Sequence, residues 1–279
     1  MKDKYKFRGI DVSHHQAPER MDWKLLAGQV DFVIARSCYG ETPDATFVKH
    51  INSARKHKKV VGGYIFYRQT QRWEKQFARF RTELERIDCG PGDILPAIDL
   101  EMNDKYDGPV SPTIFNSEGR ALVEAVADLY GSCLIYTVPG LIFTLGNPAW
   151  LLEYPLWIAH INVNQPRSPK AWDIWQYTHE GKLDGYSGRL DLNVSDHLPV
   201  LPELHRREIA TVPELIALPA VDTVLEFEIP PDTVPPVVTE VEGTDQKDPV
   251  VSIVPVVPPH QHTWWWNLWA WFKFIFTSK

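Results

Sequence analysis

Between Arg8 and Asn193 the chain alternates short apolar runs rich in β-branched residues with amphipathic helical stretches, and few folds accept that alternation. Strand and helix side chains repeat with different periods. A chain that keeps switching between them builds βα units around a parallel sheet. The expected strands are 8–12, 32–37, 60–67, 94–100 and 133–137. Asp44 is placed to cap a helix to about 58, Thr70 another to about 87, and a third runs over 113–130 until Gly131 stops it. Beyond Thr137 the runs 156–160, 173–177 and 189–193 follow with too little chain between the last ones for crossover helices. The expected fold class is therefore α/β: an irregular TIM-like barrel of about five βα units and three closing strands.

Charge divides the chain where the pattern ends. Residues 1–199 carry 24 basic and 25 acidic side chains, whereas 200–262 carry 3 and 11, with 11 of the 23 prolines. Proline removes backbone donors and like charges repel, so 200–262 reads as an extended acidic Pro-rich linker after a barrel over 1–199, the alternative being a small second domain around Glu203 to Glu228. The remainder, 263–279, holds five of the eleven tryptophans. Its aromatic run Trp264–Phe276 is 13 residues long, short of the roughly 20 a spanning helix needs, and indole favours the membrane–water boundary. A membrane-interfacial anchor is the first reading of this tail; the alternatives are docking into a groove on a partner or on its own barrel, or an unstructured, aggregation-prone end. The net charge of -7 with no basic stripe excludes a nucleic-acid partner. Cys38, Cys89 and Cys133 are spaced for neither a disulfide framework nor a zinc site, and His14-His15 has no second ligand cluster, so neither metal nor cofactor is expected. Met1 to Ile10 lacks the apolar stretch of a secretory signal, which points to synthesis in the cytoplasm.

The chemistry concentrates at strand ends. In Asp99-Leu100-Glu101 the two carboxylates project to one face, at the end of a strand where α/β barrels carry their active sites. Asp11 and Asp191 occupy equivalent positions on the first and last strands. Repulsion and burial are expected to raise one acid and leave its neighbour ionised, the division that glycoside hydrolysis uses.

Seven motifs then fall in order: Gly9-Ile10-Asp11-Val12-Ser13-His14, Gly63-Tyr64-Ile65-Phe66, Asp99-Leu100-Glu101, Ile135-Tyr136-Thr137, Leu156-Trp157-Ile158-Ala159, Trp175-Gln176-Tyr177 and Asp191-Leu192-Asn193. Together, over about residues 7–197, the sequence resembles the glycoside hydrolase 25 lysozymes. The resemblance implies a muramidase that cleaves the β-1,4 bond between N-acetylmuramic acid and N-acetylglucosamine in peptidoglycan. It implies Glu101 as general acid and Asp99 as the partner that stabilises positive charge or orients the N-acetyl group. Asp11 and Asp191 are then the other acids of the cleft, and Tyr64, Tyr136, Trp157 and Gln176 line the sugar subsites. Arg36, at the end of the second strand, either contacts substrate or pairs with a cleft acid. The sequence departs from the family pattern at His15, at Tyr67-Arg68 and at His160. The expected setting is the cell wall or periplasm, as for a phage endolysin or virion-borne enzyme. The alternative is an inactive wall-binding or structural protein on the same barrel.

Overall fold

A computed structural model of the protein describes residues 4–203. The 200–262 linker and the 263–279 tail lie, but for the first four residues, outside the described residues. Eight strands close into a barrel: β1 (Phe7–Val12), β2 (Phe32–Tyr39), β3 (Val60–Phe66), β4 (Ala97–Leu100), β5 (Leu134–Thr137), β6 (Leu156–Ala159), β7 (Ile174–Leu183) and β8 (Tyr186–Ser195). Neighbours from β2 to β7 run parallel, and β1 pairs in parallel with β2. The antiparallel β8 closes the ring between β7 and β1. A two-residue return, Thr42–Pro43, lies against the end of β2.

Helical segments follow the first five strands: α1 (Trp23–Leu26), α2 (Phe47–Lys56), α3 (Trp73–Glu85), α4 (Arg120–Tyr130), then α5 (Pro139–Thr144) with α6 (Ala149–Leu152). Strand alternation sends Phe32 and Ile34 into the barrel and Val33 outward against the helices, so an inner and an outer apolar layer share one sheet.

The architecture matches the expectation, and the differences are local. Helix α2 starts at Phe47, and Asp44 still serves its start, since Oδ1 accepts the Thr46 N–H at 3.0 Å while Oδ2 is taken by Arg36 and the His14 N–H. Helix α3 starts at Trp73 rather than after Thr70, whose hydroxyl donates to Asp107 Oδ1 at 2.6 Å. Strand β4 is shorter than 94–100, since Pro96 has no N–H and Ile94 bridges to Val200. The last two strands are twice as long as expected. They form a hairpin across Asp184-Gly185, with Gly185 at φ 96, a conformation that costs a side-chain-bearing residue energy and glycine little.

The end of the barrel opposite the C-terminal ends of its parallel strands is closed by a strap. Leu95 N–H donates to the Pro199 carbonyl at 2.9 Å and Leu201 N–H to that of Asp93 at 2.7 Å, while Leu198 and Leu201 are buried in the inner layer. Packing thus continues past 199. Leu201→Ala is expected to lower the unfolding free energy by about 2–4 kcal/mol, read from the midpoint of chemical denaturation, because it opens a cavity under the barrel. Among the described residues no helix is long and apolar enough to cross a membrane.

Candidate active site

A cleft of about 1000 Å³ opens at the C-terminal ends of the parallel strands. It is lined by all nine residues singled out from the sequence: Asp11, Asp99, Glu101 and Asp191, together with Arg36, Tyr64, Tyr136, Trp157 and Gln176. Asp11 on β1 and Asp191 on β8 are opposite one another in the antiparallel ladder. Asp99 lies within β4 and Glu101 one residue past its end.

Asp11 sits at the centre of a closed polar network. Its Oδ2 accepts from Gln176 Nε2 at 2.9 Å and from Asn193 Nδ2 at 2.7 Å. The far ends of both amides are also used: Tyr136 OH donates to Gln176 Oε1 at 3.0 Å, and Trp157 Nε1 to Asn193 Oδ1 at 2.8 Å. Tyr136, Trp157 and Gln176 therefore line the cleft as expected, but these polar bonds serve to fix a carboxylate. The ring of Trp157 also meets those of Tyr136 and Tyr64 edge-on, at 4.6 and 6.1 Å between centroids.

Where one raised acid was expected, all four carboxyls titrate above their ordinary range. Burial is the first cause in each case. Asp11 stands well above the usual carboxylate range, pushed further by the charge of Asp191 and pulled back by its two amide donors. Asp99 is raised by burial, then by the charges of Glu101 and Asp11, against the pull of Arg36. Glu101 is pushed up to about 7 by burial and then by Asp11. Asp191 rises to about 6 through burial and Glu101, held back by a hydrogen bond with Asp11. Asp99 Oδ1 is buried and takes no hydrogen bond from the described residues, an unmatched acceptor that makes ionising Asp99 costlier.

Of the two readings of Arg36, pairing with an acid is the one seen. Its Nε donates to Asp44 Oδ2 at 3.0 Å, and its Nη2 meets both Asp44 Oδ2 and His14 Nδ1. The rings of His14 and His15 lie 3.9 Å apart between centroids, tilted by 39°, at the cleft wall. Asp44 is held below the usual range: burial, the largest influence, is outweighed by the Thr46 and His14 hydrogen bonds and by Arg36. No cluster of three or more metal-ligating side chains occurs among the described residues. Cys38 and Cys133 are buried and Cys89 is half-buried, all three as free thiols.

Sequence reasoning missed Asn193 as a site residue, although its place two residues after Asp191 on one strand put both side chains on the same face. It also missed the rim formed by Tyr39 at the end of β2 and by Met102, Asn103 and Tyr106, for the last three of which a loop sequence offers no periodic signal.

The family model for glycosyl hydrolases family 25 matches residues 10–186. A relative from Escherichia coli, the uncharacterized protein YegX, is 28% identical over 200 residues, which cover 68% of this chain and 70% of its own. Among solved structures the chain is similar to a family 25 glycosyl hydrolase from Bacillus anthracis, with 27% identity and a TM-score of 0.61, covering 70% of this chain and 91% of that one. It also shares its fold with a bacterial lysozyme from Streptomyces coelicolor, at 22% identity and a TM-score of 0.61, over 69% of this chain and 93% of that one.

Proposed function

The chain belongs to glycosyl hydrolase family 25, and from that premise we propose that it is a lysozyme cleaving the β-1,4 bond between N-acetylmuramic acid and N-acetylglucosamine in peptidoglycan, with Glu101 as general acid. The observation that carries this reading is Glu101 itself, a carboxyl raised to about 7 beside three more acids in one cleft. Near neutral pH it keeps a proton to give to the leaving glycosidic oxygen. Asp99, when ionised, stabilises the oxocarbenium-like charge or orients the substrate N-acetyl group. Asp11 and Asp191 share a hydrogen bond, which needs a proton on one of them, so the pair brings at most one negative charge to the cleft.

Digestion of purified peptidoglycan followed by borohydride reduction tests the bond. New muramitol ends support the reading; glucosaminitol ends place the cut at the other linkage; no new ends on several wall types favour a wall-binding protein on the same barrel.

In this reading the protein acts at the cell wall or periplasm, as a phage endolysin or virion-borne enzyme does. The acidic arm tethers the aromatic segment Trp264–Phe276, which seats at a membrane interface through its indole rings. The protein is expected to float with liposomes and a chain truncated after His262 to stay in the dense fraction. Equal flotation of the two removes the anchor.

A further inference from the structure

The loop that leaves Glu101 is fastened far more heavily than its position at a cleft mouth requires. Arg68 Nε donates to both oxygens of Asp107 at 2.7 Å, with the two side chains only 13% and 3% exposed. Gln69 Nε2 donates to the carbonyls of Asp107 at 3.0 Å and Pro109 at 2.8 Å, and its Oε1 accepts from Ser111 N–H at 3.0 Å. Asn103 Nδ2 donates to Tyr39 OH at 2.5 Å and to Asp107 Oδ2 at 3.1 Å. The buried Gln76 in turn grips both the N–H and the carbonyl of Arg68. Three consecutive residues after β3, Arg68 to Thr70, thus latch the 101–111 loop to the barrel.

What the latch displays is apolar. Tyr106 is 61% and Met102 54% exposed, and both line the same cleft as the four acids. The Tyr106 ring has the Lys105 ammonium 4.9 Å from its centroid and stands otherwise largely in water, and because the backbone that carries it is already fastened, covering the ring yields affinity at lower entropic cost.

We propose that Tyr106 is a sugar-binding position beyond the two sugars that flank the cleaved bond, stacking on the apolar face of a further ring of the same glycan strand. The inference rests on the lysozyme reading, and it names the occupant from continuity. The cleft runs unbroken from the acids to Tyr106, and its volume reaches the upper end of what small-ligand pockets enclose. A long polymer supplies successive rings along such a cleft, whereas a short fragment supplies few.

The test compares two substrates: long glycan strands stripped of stem peptides, and the shortest oligosaccharide that the parent protein cleaves. Tyr106→Ala is expected to lower kcat/KM on long strands by about tenfold, mainly through KM, and to leave the short substrate within about twofold. Tyr106→Phe, which keeps the ring, is expected to restore the long-strand value. Equal losses on both substrates, or no loss on either, overturn the proposal while leaving the lysozyme reading intact. A parent protein that cleaves neither substrate removes both together.

Discussion

Glu101→Gln is expected to lower kcat on purified peptidoglycan by about 10²- to 10⁴-fold, with KM close to that of the parent. The amide keeps the shape and the polarity of the side chain but has no proton of the right acidity to give. With the carboxyl raised to about 7, activity of the parent should fall as pH rises through that value, because Glu101 is then losing the proton it donates. The residual activity of the variant should lack this alkaline limb. A stability effect of opposite sense accompanies the loss. The folded carboxyl titrates above its unfolded value, so the folded state holds the proton more tightly, and its contribution is complete below about pH 4 and lost as pH rises through about 7. At pH 8 the variant should therefore be the more stable protein, by up to about 3 kcal/mol, and the difference should vanish in acid. Thermal melts of both proteins from pH 4 to 8 read it directly. A variant with parental kcat, or one with an unchanged alkaline limb, sinks Glu101 as the acid.

The barrel was legible because its signals are redundant. Each parallel strand is an apolar run that must be covered on both faces, so the alternation of runs and amphipathic helices leaves little choice of architecture. The acids were legible for the same reason: a carboxylate directly after Ile98 or Ile10 has no place in an apolar run unless a cleft receives it. Local competition was harder to read. Asp44 is a sound capping residue, yet only its Oδ1 serves the helix start; Oδ2 is held by the buried guanidinium of Arg36, beside which the Thr42–Pro43 return lays it. Thr70 was lost to Asp107 in the same way, across 37 positions that no local pattern spans. The hairpin at Asp184-Gly185 was legible from the dipeptide, but a strand length drawn only from the apolar core of 173–177 hid it. The roles of Tyr136, Trp157 and Gln176 were half visible. Their inward face follows from strand alternation, whereas the bonds that turn them toward Asp11 are made between strands.

Those bonds make Asn193 the residue whose loss should reach furthest outside the acids themselves. Asn193 is 1% exposed and joins Trp157 Nε1 to Asp11 Oδ2, so Asn193→Ala leaves a buried donor without its partner and a buried carboxylate with one donor fewer. The expected cost is about 2–4 kcal/mol of unfolding free energy, since each buried polar group left unmatched costs about 1–3 kcal/mol. The chemical effect follows from the charges. The Asn193 hydrogen bond favours ionised Asp11, and without it Asp11 keeps its proton to higher pH. Less charge then stands beside Glu101, and Asp11 is the second cause that holds Glu101 up after burial. The alkaline limb of activity should therefore move below about 7, toward the ordinary glutamate range, although the substitution touches neither Glu101 nor Asp99. Asn193→Asp separates this from simple damage, because the carboxylate still accepts from Trp157 but repels Asp11, so it should lose more activity than the alanine variant. A pH–rate profile and a denaturation curve for each variant decide the matter. If both variants keep the parental alkaline limb, the network holds the fold without tuning the acid.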